Sequence, residues 1–163
     1  EVERCRDVAW WASSRVAAAW PLADPPGRCI EITRDAGDDI YLDELEVGLH
    51  GGARTVERRG ELSNWATDAL RRRLREVAAG AVAYSGSGTS NAGQVSTCRA
   101  ISSVLVRAGL AGESGVRPAS VAGWAGRRVF DTTGRIEDAA QAMGVRSLDR
   151  AARLIGLVWS TDA

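Results

Sequence analysis

Two short apolar repeats near the end of the chain, separated by a four-residue break, constrain its fold most strongly. Both have helical spacing: the first comprises Ile136, Ala139, Ala140 and Met143, and the second comprises Leu148, Ala151, Ala152 and Ile155. Gly144 suits the left-handed position that ends a helix, and Ser147 suits the cap that begins the next one. Residues 136–155 are therefore predicted to fold as a helix, a tight turn and a second helix.

Charged side chains occupy the face of the second helix opposite its apolar side. They are Arg146, Asp149, Arg150 and Arg153. Arginines in this arrangement contact phosphates and base edges in helix-turn-helix proteins. An ordinary pair of antiparallel helices with solvated arginines gives the same pattern, so both interpretations stay open.

Residues 143–155 resemble the C-terminal box of the tyrosine recombinases (phage integrases), which usually reads Leu-Gly-His-x-Ser-Leu-x-x-Thr-x-x-Tyr. In this register Val145 takes the place of the family's histidine, and Leu154 takes that of its nucleophilic tyrosine. Where the family has His-x-x-Arg, the arginine position falls on Ala122 or Gly123, depending on a one-residue gap. The resemblance implies a recombinase scaffold that has lost the groups that cut DNA.

A second part of the resemblance lies near the start of the chain. Gly27-Arg28-x-x-Glu31, followed by Asp39-Ile40, keeps the spacing of the family's first arginine box but lacks its leucine. The resemblance makes Arg28 the candidate remnant of a catalytic arginine. An Arg-x-x-Glu pair also arises by chance as a helical ion pair.

Residues 45–49 and 53–58 alternate in polarity and flank His50-Gly51-Gly52, whose glycines suit a tight hairpin turn. The recombinases have such a hairpin after the first box, and its loop carries a catalytic lysine to the minor groove. This chain contains no lysine. Arg54 and His50 are the candidate cations of the loop, although a lone histidine in a turn commonly has no further role.

The chain is predicted to be mainly α with a small antiparallel β-hairpin or sheet, an α+β fold like the catalytic domain of the tyrosine recombinases. Its 163 residues are expected to form a single domain. The chain is predicted to begin with a leading helix in 1–24 that Pro21 ends. Residues 27–79 are predicted to contain the arginine box, the hairpin and a helix with a solvated basic face. A flexible loop in 80–93 and a helical half in 94–158 are predicted to follow.

Composition excludes several classes of protein. Cys5, Cys29 and Cys98 are far apart, and with a single histidine they match no zinc spacing, so buried thiols in a reducing, cytoplasmic setting are expected. No apolar run approaches the ~18 residues of a membrane span. Residues 1–49 hold five arginines against eleven carboxylates, and residues 50–153 hold sixteen against nine. One basic face is therefore compatible with a nucleic-acid partner.

The favoured hypothesis is an integrase-like protein that binds duplex DNA and has an accessory or regulatory role in recombination, without strand cleavage. The predicted DNA contacts are Arg54, Arg127, Arg128, Arg146, Arg150 and Arg153. A second copy of the chain and an active recombinase are candidate protein partners. No metal, small-molecule cofactor or membrane is expected. The alternatives are a helix-turn-helix transcription regulator and a protein-interaction module built on the six tryptophans.

Overall fold

The structure is a computed structural model that describes residues 1–11, 14–23, 25, 31, 37–52, 55–77, 82–83 and 90–158. It confirms a mainly α class with a small antiparallel sheet. The helices are α1 (Val2–Trp11), α2 (Ser14–Ala23), α3 (Asn64–Leu74), α4 (Ser90–Arg107), α5 (Pro118–Thr133), α6 (Ile136–Ala142) and α7 (Leu148–Ile155), and the strands are β1 (Ile40–Tyr41), β2 (Glu46–Leu49) and β3 (Arg58–Glu61).

The leading helical segment continues past the proline that was predicted to end it. Pro21 lies inside α2, which extends to Ala23. Proline removes one helical hydrogen bond. The neighbouring side chains of Trp20 and Leu22 are fully packed in the core, and this tertiary packing offsets the missing bond.

The sheet has the order β1-β2-β3, with both pairs antiparallel. Leu49 pairs with Arg58, so the second hairpin strand occupies 58–61 and the prediction of 53–58 is wrong. Burial of Val47 and Leu49 fixes the register, because a shift by one residue would turn both side chains to solvent. The connection between β2 and β3 is consequently longer than a two-residue turn, and its described residues include an isolated bridge between Gly52 and Thr55.

Helix α3 begins where Ser63 accepts a hydrogen bond from the backbone N–H of Ala66 at 3.2 Å. The sequence predicts that the basic face of α3 is solvated. Arg73 on this helix is instead buried, and Arg73 Nε donates to the carbonyl oxygen of Val82 at 3.0 Å. Val82 and Ala83 are themselves buried. The sequence predicts a flexible loop over 80–93, but helix α4 already starts at Ser90, so residues 90–93 are helical and residues 82–83 are part of the core.

The buried side chains form two clusters. The larger one contains residues of helices α1, α2, α3 and α4 and of the sheet. It includes Leu22, Leu49, Leu70, Ile101 and Val104. The smaller one is made by α6, α7 and the turn between them, with Phe130 of α5 packed against it. Cys5 lies in the larger cluster, where burial raises the pKa of its thiol and confirms its predicted role as a small hydrophobe. Cys29 lies outside the described residues.

Candidate nucleic-acid interface

The turn between α6 and α7 has the geometry that its sequence predicts. Gly144 has a φ of 64°, in the left-handed region that favours glycine. Ser147 Oγ accepts a hydrogen bond from the backbone N–H of Arg150 at 3.3 Å and caps α7. The prediction of two successive helices in 136–155 is therefore confirmed, and the turn presents an exposed Arg146.

The loop between β2 and β3 is attached directly to this turn. The backbone N–H of Val56 donates to the carbonyl oxygen of Gly144 at 2.9 Å. Arg58 Nε donates to the carbonyl oxygen of Ala142 at 2.7 Å. Ala142 is the last residue of α6, so its carbonyl has no acceptor role within the helix, and Gly144 lies in the turn that follows. The hairpin thus completes the helix end and fixes the distance between the loop and the turn.

Arg58 also forms a buried ion pair. Its two terminal nitrogens donate to the two carboxylate oxygens of Glu31, at 2.9 and 3.2 Å. The side chains are 7% and 1% exposed. Parallel bonds of this kind orient both groups. Glu31 belongs to the arginine box that was recognised in the sequence, so the pair joins that box to the hairpin and to the end of α6. Arg28 lies outside the described residues.

An open groove of about 760 Å³ separates the loop from the α6–α7 turn. It is lined by His50, Gly51, Gly52, Thr55, Val56, Glu57 and Arg146. His50 Nε2 lies 3.0 Å from Asp39 Oδ2. The sequence offered no partner for His50, because Asp39 reaches it only through the pairing of β1 with β2. A strand of two residues such as β1 is too short to produce a recognisable periodicity.

The predicted DNA-contact arginines fall into three groups. Arg146 lines the groove, whereas Arg54 lies outside the described residues. Arg150 and Arg153 project from α7, and within the described part of the chain these two and Arg146 have no carboxylate at ion-pair distance. The arginines of α5 already have partners: Arg127 Nε donates to Asp131 at 2.7 Å, and the Arg128 guanidinium lies 5.1 Å from the centre of the Trp124 ring.

Helix α5 packs against the end of α7 through glycine. A Cβ at Gly123 would collide with the carbonyl oxygen of Leu154. The positions that the resemblance assigns to the family's second arginine and its tyrosine are thus neighbours in space, and the space beside Gly123 is filled by backbone. Val145, at the histidine position, is buried among the side chains of α6 and α7.

The tryptophans do not form one exposed surface among the described residues. Trp20 is in the core, Trp65 packs against it, and the Trp10 ring lies 5.0 Å from the Arg72 guanidinium. Trp11 is the exposed member, with 81% of its surface accessible. The structure therefore provides no tryptophan patch for the protein-interaction alternative in the part of the chain that it describes.

Within the described ranges, no three His, Cys, Asp or Glu side chains are arranged to hold a metal ion. Nor does any helix there have the length and apolarity needed to cross a membrane.

Comparison with known proteins gives a structural likeness only. No protein-family model matches the chain, and no curated protein matches its sequence. Among solved structures, the crystal structure of XerA recombinase is similar, with a TM-score of 0.75 and 15% sequence identity. The likeness covers 98% of this chain and 57% of the XerA chain. The fold is that of a recombinase domain, and the chain spans little more than half of the protein it resembles.

Proposed function

We propose that this chain binds duplex DNA in the groove between the β2–β3 loop and the α6–α7 turn, and that it does so without cutting a strand. The position of Arg146 carries the proposal. Arg146 lines the groove, and the loop across from it is joined to the same turn by the hydrogen bond from Val56 to Gly144. The bond from Arg58 of β3 to Ala142 at the end of α6 supports the same arrangement. The structural likeness to XerA recombinase supports a recombinase-like scaffold for this groove.

The free arginines support phosphate binding. A guanidinium that already pairs with a carboxylate must give up that partner before it binds a phosphate, whereas Arg146, Arg150 and Arg153 have no such partner to lose within the described chain. Arg127 is held by Asp131 and is expected to contribute less. We therefore expect Arg146, Arg150 and Arg153 to contribute more to phosphate binding than Arg127, although the sequence does not distinguish them.

The groove is not uniformly basic, because Glu57 also lines it. The opposite charges of Glu57 and Arg146 offset each other, so removing the guanidinium of Arg146 makes the groove less attractive to a phosphate.

Replacing Arg146 with alanine is expected to weaken binding to a short duplex about 3- to 10-fold and to reduce the slope of log affinity against log salt by about 1. Fluorescence anisotropy titrations at several salt concentrations measure both quantities. Arg59→Ala is the matched control, because Arg59 is an exposed arginine whose charge is already neutralised by Glu44 and Glu46. Equal losses in the two variants would contradict the assignment.

No covalent protein–DNA adduct is expected when the chain is incubated with nicked duplexes that trap a tyrosine linkage. Leu154 has no nucleophilic oxygen at the position of the family's tyrosine, and each missing electrostatic donor costs about 3–4 kcal/mol of transition-state stabilisation. Denaturing gels after incubation make the measurement. An adduct that withstands denaturation would refute the loss of cleavage while leaving DNA binding intact.

An accessory role follows from binding without cleavage. A chain that occupies a recombination site but cannot cut it changes how an active recombinase uses that site. We propose duplex DNA as the primary partner, with a second copy of this chain or an active recombinase beside it. Footprinting in the presence and absence of such a recombinase tests this part separately.

A further inference from the structure

We infer that His50 is a phosphate-binding residue of the groove and that its protonation controls the affinity for DNA. This inference rests on the proposed function and adds a specific, pH-dependent contact to it. The inference is based on the position of His50, which lines the groove with Arg146. Its Nε2 also lies within hydrogen-bond distance of the carboxylate of Asp39.

Asp39 determines which ring nitrogen is available. Its Oδ2 lies 3.0 Å from Nε2 of His50, so Nε2 carries a hydrogen and donates to the carboxylate. The other nitrogen, Nδ1, is then where the ring gains or loses a proton. Nδ1 accepts a hydrogen bond in the neutral ring and donates one in the charged ring. Only the charged ring has a second N–H to offer to a phosphate oxygen.

The charges around the groove make this proton decisive. The described charged groups that face His50 are Asp39 from the turn before β1, Glu57 from the β2–β3 loop and Arg146 from the α6–α7 turn. With a neutral ring, Arg146 supplies the positive charge among the described residues that line the groove. Protonation of His50 adds a second positive charge and a second N–H donor to the same groove. The change of one charge is therefore a large fraction of the local total.

The ring is placed for this role by the sheet. Pairing of Ile40 with Val47 sets β1 beside β2, so that Asp39, just before β1, meets His50, just after β2. His50 keeps 43% of its side chain exposed, which leaves it accessible to a ligand in the groove. A histidine that served only to fill the turn would need neither the carboxylate nor the access.

The test is DNA affinity as a function of pH. Binding of the full chain to a short duplex at constant salt is expected to strengthen up to about tenfold from about pH 8 to about pH 6, since histidine gains its proton in this range. His50→Gln is expected to bind weakly at both values. His50→Lys is expected to bind tightly at both, because it carries a permanent charge.

The chain contains one histidine, so ring NMR signals report on His50 alone. They are expected to show hydrogen on Nε2 in the neutral form and a titration that moves to higher pH when the duplex is added. Wild-type binding that does not change with pH, or a pH dependence that persists in His50→Gln, would overturn the inference and leave the proposed function standing. Absence of DNA binding at every pH would instead refute the proposed function itself.

Discussion

Replacing Arg58 with alanine is expected to lower the free energy of unfolding by about 3–5 kcal/mol, because it removes the guanidinium that pairs with the buried carboxylate of Glu31. The same change removes the donor to the carbonyl oxygen of Ala142 at the end of α6. Chemical denaturation followed by tryptophan fluorescence measures the effect.

The neighbouring residue provides a control for this experiment. Arg59 lies on the same strand, but it is exposed and donates hydrogen bonds to the carboxylates of Glu46 and Glu44. These bonds, first of all the one to Glu46, raise the pKa of its guanidinium. Arg59→Ala is expected to change stability little, since exposed ion pairs contribute little. A loss in Arg58→Ala no greater than that in Arg59→Ala would contradict the importance of the buried pair.

A double variant separates the pair from the rest of the packing. Arg58→Met with Glu31→Leu removes both charges and keeps apolar volume, so it is expected to be more stable than Arg58→Ala. Arg58→Lys keeps the charge but loses the parallel bonds, and it is expected to fall between wild type and Arg58→Ala. Equal destabilisation in all three variants would indicate that the bond to Ala142 dominates.

Replacing Gly123 with alanine is expected to destabilise the chain by about 1–3 kcal/mol or more, because the new Cβ would collide with the carbonyl oxygen of Leu154. The backbone of α7 cannot rotate away as a side chain would, so α5 and α7 must separate. Denaturation again measures the loss. Hydrogen exchange at the amides of α7 is expected to increase at the same time, because α7 loses its support.

Gly112→Ala is the matched control, because nothing lies within 4 Å of the Cβ that it adds and the backbone there is not left-handed. It is expected to be neutral or slightly stabilising. Gly123→Arg, which would supply the guanidinium that the family has in this region, is expected to be worse than Gly123→Ala. A folded, stable Gly123→Arg protein would show that the space can open, and would weaken the proposal that cleavage has been lost.

The helical elements were largely predictable from sequence, and the reason is local. Helical periodicity, a left-handed glycine at Gly144 and a capping serine at Ser147 act within a few residues of one another. The recombinase-like fold also followed from short motifs, and the structural likeness to XerA recombinase agrees with it. The predictions are wrong where tertiary packing overrides local preference. Pro21 lies inside α2 instead of ending a helix, and Arg73 is buried and bonded to the carbonyl oxygen of Val82 instead of solvated.

The candidate site was only partly predictable. Arg146 was named from its position beside the cap of α7, and the structure places it in the groove. The sequence predicts Arg127 as a DNA contact in the same way, but the structure shows that Arg127 pairs with Asp131, one turn further along α5. The sequence does not indicate a carboxylate partner for His50, and it places Arg58 on a hairpin strand without indicating an ion pair. These differences depend on which carboxylate lies beside each cation.

By itself, the sequence determined where the helices of the C-terminal half begin and turn, and it suggested the resemblance to the tyrosine recombinases. Only the tertiary structure decided that β3 begins at Arg58, that Arg58 joins Glu31 to the end of α6, and that Asp39 holds His50 in the groove. The physical reason is separation along the chain. Caps and periodicity act over one or two turns, whereas the partner of Arg58 lies 27 residues away and its backbone acceptor lies 84 residues away.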